Sequence, residues 1–200
     1  DLSRIESGRF VFETSDFSAR RVLESVMRLA DIGAHEKGLP LAYSIDAGVP
    51  AGLRGDANRL GQVVANMVGH AVRLGEEGVV GLSVEAVDAG GHVELRAVVR
   101  FSGTGIAAEE KDQLNAFFEA GAGEVPRLGG DGELGLSFAA RLAARMGGKI
   151  WIEDDDSRVC ALHFSAPFER AEEPVEEVLS PERPLEPLRI LLAEDNKINQ

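Results

Sequence analysis

Residues 55–74 run Gly55-Asp56-Ala57-Asn58-Arg59-Leu60-Gly61-Gln62-Val63-Val64-Ala65-Asn66-Met67-Val68-Gly69-His70-Ala71-Val72-Arg73-Leu74. They read as one capped amphipathic helix. Asp56 stands where a side-chain oxygen can accept from the first free backbone N–H groups. Leu60, Val63, Met67, Ala71 and Leu74 recur at three-and-four spacing and make an apolar face. Beside that face Gln62, Asn66, His70 and Arg73, at spacings of four, four and three, form a polar stripe. Gly75 and Gly78 close the helix.

Two alternating runs follow, Val79 to Val87 and His92 to Phe101, joined by the hairpin signal Asp88-Ala89-Gly90-Gly91. Val93, Leu95, Ala97, Val99 and Phe101 share one face. A third helix is predicted from Ala107 to Phe118, then a glycine-rich stretch without periodicity from Ala120 to Glu133, then a fourth helix from Leu134 to Met146. Lys149 to Glu153 and Arg158 to Ser165 read as a closing strand pair around Asp154-Asp155-Asp156-Ser157. Upstream, a short strand is expected at Arg9 to Glu13, and Ser18 as the N-cap of a helix with Val22, Leu23, Val26, Met27, Leu29, Ala30 and Ile32 on its packing side. Gly38 and Pro40 stop that helix, and Leu41 to Ile45 reads as a strand. The expected class is α+β, a two-layer sandwich with helices on one face of a mixed sheet.

From residue 169 to Pro187 the composition turns to Glu and Pro, as an extended linker requires. Leu188-Arg189-Ile190-Leu191-Leu192 then opens a new buried strand. The expected organisation is therefore 1–8 as a helix end, 9–168 as the main domain, 169–187 as linker and 188–200 as the start of another domain, the whole being a piece of something longer.

The 200 residues carry a formal net charge of −13, with 44% hydrophobic and 28% charged residues. That balance argues for a globular chain and against nucleic acid or anionic lipid as a partner. The single cysteine, Cys160, lies in an alternating apolar run, so an intramolecular disulfide is excluded and a buried thiol is expected. No apolar stretch approaches the ~20 residues of a membrane span, and no signal peptide opens the chain, so the expected location is cytoplasmic, with any anchor upstream.

Four phrases together resemble hybrid sensor histidine kinases. Asp1-Leu2-Ser3-Arg4-Ile5-Glu6-Ser7-Gly8 resembles the end of the second dimerisation helix, and Gly55 to Val63 resembles the start of the asparagine-box helix. Leu134-Gly135-Leu136 through Met146-Gly147-Gly148-Lys149-Ile150-Trp151 is similar to the second glycine box, and Leu188 to Asn196 to the first strand and acidic loop of a receiver, with Glu194 and Asp195 as its magnesium-binding acids. The resemblance implies a Bergerat-type domain that holds ATP and Mg2+, works in phosphorelay signalling, and passes phosphate to a histidine upstream of Asp1. It also implies a homodimer built on dimerisation helices, with its own receiver and a response regulator or phosphotransfer protein as partners.

On that pattern the nucleotide-binding positions are Asn66, His70, Arg73, Phe101, Gly103, Gly105, Gly130, Gly132, Gly135 and Leu136, with Asn66 the remaining magnesium ligand. Three positions depart from it. His70 stands where the family usually places a second asparagine, and an imidazole suits magnesium poorly; as an alternative to metal binding His70 is an ordinary helix-surface residue. Phe101 replaces the aspartate that accepts the adenine amino group, in Phe101-Ser102-Gly103-Thr104-Gly105. A hydrogen bond to a charged group is worth roughly 1.5–3 kcal/mol, so this loss alone is expected to weaken ATP about ten- to a hundredfold. The ring either fills the adenine slot or extends the core, and core filling is the expectation. Glu133 ends a segment, Gly130-Asp131-Gly132-Glu133, in which two acids enter a phosphate cradle; Glu133 either occupies the place of a phosphate at the helix start or is an ordinary capping-turn glutamate. His35-Glu36-Lys37-Gly38-Leu39-Pro40 imitates a phosphoacceptor phrase, but Gly38 ends the helix there; His92 and His163 sit in hairpin and strand contexts and read as structural. Three readings stay open: a working ATP domain, a non-enzymatic pseudokinase that docks or couples dimers, and a histidine-phosphotransfer scaffold.

Overall fold

The computed structural model describes residues 12–103, 111, 112, 115, 116, 133–155 and 159–172. In chain order the elements are β1 (Ser15–Phe17), α1 (Ala19–Glu36), β2 (Leu41–Ile45), β3 (Gly52–Gly55), α2 (Ala57–Leu74), β4 (Gly75–Asp88), β5 (Val93–Gly103), α3 (Glu133–Arg145), β6 (Lys149–Asp155) and β7 (Val159–Ala171). Residues 111, 112, 115 and 116 are helical, within the third helix expected from sequence.

The strands form one mixed seven-stranded sheet in the order β1-β3-β7-β5-β4-β2, with β6 also paired to β7. Among the described residues only β2 against β4 is parallel. Strand alternation gives this sheet its two faces. Val80, Leu82 and Val84 of β4, Val93 to Phe101 at every second residue of β5, Cys160 to Phe168 likewise on β7, and Ile150 and Ile152 of β6 are all buried. The three helices cover that face, α2 packing on both α1 and α3. Cys160, expected as a buried thiol, is 1% exposed.

Several local expectations change. The first strand is Ser15–Phe17 rather than Arg9 to Glu13; Phe12 and Glu13 belong to no regular element, and residues 9–11 lie outside the described ones. Its register is set by Phe17, which pairs with Leu53 and meets the Phe168 ring edge-on at 5.8 Å. Ser18 occupies the N-cap position of α1 with extended backbone but its side chain makes no capping bond. Leu29 and Ile32 do not pack: they are 73% and 66% exposed, on the side of α1 away from Leu23, Met27 and Ala34. Three-and-four spacing spans a wider stripe than the sheet and α2 can cover. The hairpin keeps its glycines, Gly90 and Gly91 having φ of 71° and 125°, while Asp88 becomes the last residue of β4 and accepts the Gly90 N–H. Finally β7 runs on to Ala171, three residues past the composition change, and pairs there with β3. Residues 1–8 and 173–200, including Glu194 and Asp195, lie outside the described residues.

Candidate functional site

The polar stripe starts from the way α2 begins. Asp56, only 6% exposed, accepts the Arg59 N–H through Oδ1 at 3.0 Å, as the sequence reading expects of a cap. Its Oδ2 also accepts the Glu13 N–H at 3.0 Å. The other end of the helix is held by Lys37, the C-cap of α1, whose Nζ donates to the carbonyls of Val72 (3.1 Å) and Arg73 (2.6 Å). A cation there satisfies carbonyls that have no partner within the helix and sits at the negative end of its dipole.

Along the stripe, the Arg59 Nη1 donates to Gln62 Oε1 at 2.9 Å, and Asn66 Nδ2 donates to the Gln62 carbonyl at 2.8 Å. That bond turns the Asn66 amide oxygen outward to α3. A methyl group placed on Gly135 would lie 2.9 Å from Asn66 Oδ1, so α3 begins close against the asparagine and a larger residue there would push its amide aside. One turn further, His70 Nδ1 lies 3.1 Å from Arg73 Nη2. A guanidinium only donates, so this nitrogen is the acceptor and carries no proton. His70 is 7% exposed, and is not the surface residue that the bland sequence reading makes it.

Phe101 and Gly103 end β5. The Phe101 ring is 2% exposed and belongs to the continuous core beneath the helices, as core filling predicts. Gly103 has a backbone reason to be glycine, since a Cβ would meet the Leu74 carbonyl oxygen at 2.5 Å, where β5 closes on the last turn of α2. Leu136 is 1% exposed and packs in the core. Of the sequence-selected residues, the structure thus brings Asn66 and Gly135 together and pairs His70 with Arg73, while Phe101 and Leu136 are core. Gly105, Gly130 and Gly132 lie outside the described residues, as does the side chain of Glu133, the first residue of α3.

What this face offers a magnesium nucleotide can be judged group by group. One amide oxygen, that of Asn66, is suitable for magnesium, and among the described residues no cluster of three or more His, Cys, Asp or Glu could hold a metal. At the position that the family pattern gives to the adenine-binding aspartate stands the buried Phe101 ring, which has no hydrogen-bond acceptor.

The open face of the sheet carries a separate groove of about 740 Å³ lined by Ser83, Arg96, Arg100, Trp151 and His163 among others. His163 stacks on Trp151 with ring centroids 4.9 Å apart and lies 3.4 Å from Glu153, which makes it a structural residue of that face. Burial holds its pKa below the usual 6.5; Glu153 opposes the shift and Arg100 adds to it. His92 is exposed in the hairpin and His35 exposed in the last turn of α1. Sequence reasoning missed the second bond of Asp56, the cap by Lys37, and Asn115, whose side chain both donates to the Ile152 carbonyl (3.3 Å) and accepts the Ile152 N–H (3.0 Å). All three join segments distant in sequence and carry no local signal.

Residues 55–170 match the family described as histidine kinase-, DNA gyrase B-, and HSP90-like ATPase. The signal transduction histidine-protein kinase BarA of Escherichia coli K12 is 35% identical over 167 residues, 82% of this chain and 18% of BarA. The sensor histidine kinase AruS of Pseudomonas aeruginosa is 32% identical over 200 residues, 100% of this chain and 20% of AruS. The chain thus spans about a fifth of these relatives. Among solved structures, full-length ShkA in complex with AMPPNP superposes with a TM-score of 0.71 at 28% identity, covering 85% of this chain and 34% of ShkA. The nucleotide-free catalytic domain of the histidine kinase ThkA shares the fold, with a TM-score of 0.59 at 22% identity over 78% of this chain and 97% of that domain.

Proposed function

This chain belongs to the histidine kinase-, DNA gyrase B-, and HSP90-like ATPase family, and from that premise we propose that it is the ATP-binding-type domain of a hybrid sensor histidine kinase whose nucleotide binding is weakened or lost. The observation that carries the second half is Phe101: its ring is 2% exposed at the position where the family pattern places the adenine-binding aspartate. His70 adds to it, since its Nδ1 faces a guanidinium and an imidazole is a poor magnesium ligand in any case. In this reading the domain acts within a phosphorelay as a scaffold. It couples the dimerisation helices of a homodimer to a receiver, with the acceptor histidine upstream and a response regulator or phosphotransfer protein as partner. Among the described residues no helix is long and apolar enough to cross a membrane.

A working kinase domain is the second reading, favoured by the retained Asn66, Arg73, Gly103 and Gly135 and by the AMPPNP complex of ShkA. Calorimetric titration with a non-hydrolysable ATP analogue and magnesium separates the two, at protein concentrations that reveal roughly millimolar affinity. The scaffold reading expects no binding or binding near that limit; micromolar, magnesium-dependent binding overturns it.

A further inference from the structure

Asp56 does more than a helix cap requires. Capping needs one oxygen on one N–H of the first turn, and serine serves as well as aspartate there. Here Oδ1 performs that task, leaving Oδ2, in a carboxylate only 6% exposed, on the backbone N–H of Glu13, 43 residues earlier. Glu13 lies two residues before β1, where the chain comes into the domain. Further polar contacts follow along α2. Arg59 Nε lies 3.8 Å from Asp56 Oδ2, and Arg59 Nη1 donates to the Gln62 side chain. Asn66 Nδ2 donates to the Gln62 backbone carbonyl, so the Asn66 amide is fixed to the α2 backbone and moves with the helix, and a Cβ on Gly135 would lie 2.9 Å from its Oδ1. Lys37 pins the opposite end of the helix. A rigid helix held at its C-terminus responds most to what happens at its N-terminus.

We infer that Asp56 is a positioning residue that couples the chain arriving at Glu13 to the orientation of Asn66 and to its contact with Gly135. The regulatory meaning rests on the kinase-family reading of the Asn66 face; the coupling itself needs no nucleotide. A displacement of the upstream segment pulls on the Glu13 N–H, and through the shared carboxylate on the first turn of α2.

The test is nuclear magnetic resonance on the full 200-residue chain, following the Asn66 side-chain amide, the Gly135 amide and hydrogen exchange at Glu13. Asp56→Ser keeps the cap but cannot also reach Glu13; Glu13→Pro removes the donor and leaves Asp56 intact. In Asp56→Ser the Glu13 amide exchanges about tenfold faster while the first-turn amides of α2 keep their protection. Both variants move the Asn66 and Gly135 signals in the same direction, and the double variant moves them no further. Should Glu13→Pro unfold β1, the Asp56→Ser result decides alone. Unmoved Asn66 and Gly135 signals in a folded Asp56→Ser chain would reduce Asp56 to a cap and overturn the inference, as would additive shifts in the double variant. Neither outcome bears on the calorimetric result above, so the two proposals fail separately.

Discussion

At the scale of single residues, the Asn66 face is defined by what its neighbours permit. Gly103 has a backbone carbonyl in the space of its Cβ, a reason that holds whether or not phosphate binds, and at Gly135 a Cβ would press on the Asn66 amide oxygen. Phe101, His70 and Glu133 are the departures, and reverting them is informative. Phe101→Asp, His70→Asn and Glu133→Gly together are expected to create magnesium-dependent ATP binding in an otherwise silent domain, measured by calorimetry. Removing a buried Phe ring costs about 3–5 kcal/mol, so the variant also melts at lower temperature, and the nucleotide should recover part of that loss. His163 makes a second residue-scale prediction. Its folded pKa is depressed below 6.5 by burial, so between the two values the unfolded chain binds more protons than the folded one. Stability is then fully present above about pH 6.5 and falls as pH drops from there toward the folded value. His163→Gln should remove that portion of the pH dependence, read as the change in melting temperature between about pH 7.5 and about pH 5.5.

At the scale of elements, most of the pattern was legible. The boundaries of β2, the end of α1 near Gly38 and the cap of α2 follow from local rules of alternation, glycine and aspartate, and the structure agrees with each. Where reading failed, packing decided. Leu29 and Ile32 have helical spacing but nothing opposite them, and the first strand forms where Phe17 can enter the core beside Phe168. The outer strand β6 shows a related point. Asn115 closes on Ile152 with one donated and one accepted bond, satisfying backbone groups that an adjacent strand would otherwise pair. Asn115→Ala is expected to destabilise the domain by about 1–3 kcal/mol. Exchange should speed up at the Ile152 amide, which a peptide-resolved deuterium measurement detects; unchanged protection there would show the contact to be dispensable.

At the scale of the whole molecule, β7 is the strand on which the sheet depends, since β5, β6 and β3 all pair with it. Its last three residues hold β3, and through it β1 and Phe17. A chain ended after Phe168 should therefore melt below one ended after Glu172, although the residues between them look like linker by composition; equal melting temperatures would contradict this. Local sequence determined the class of fold, because alternation and three-and-four spacing state which side of each element avoids water, and short turn residues state where elements stop. It also marked Asn66, His70 and Arg73 as a polar stripe, because polar side chains beside an apolar face are visible in one dimension, whereas Gly103 was singled out by the family resemblance. Only the tertiary structure decided that Leu136 is core, that Gly135 faces Asn66, and that the carboxylate of Asp56 joins Glu13 to α2. Each of these depends on which distant surfaces meet, and burial, close approach and shared hydrogen bonds are properties of that meeting rather than of any residue in its own stretch of chain.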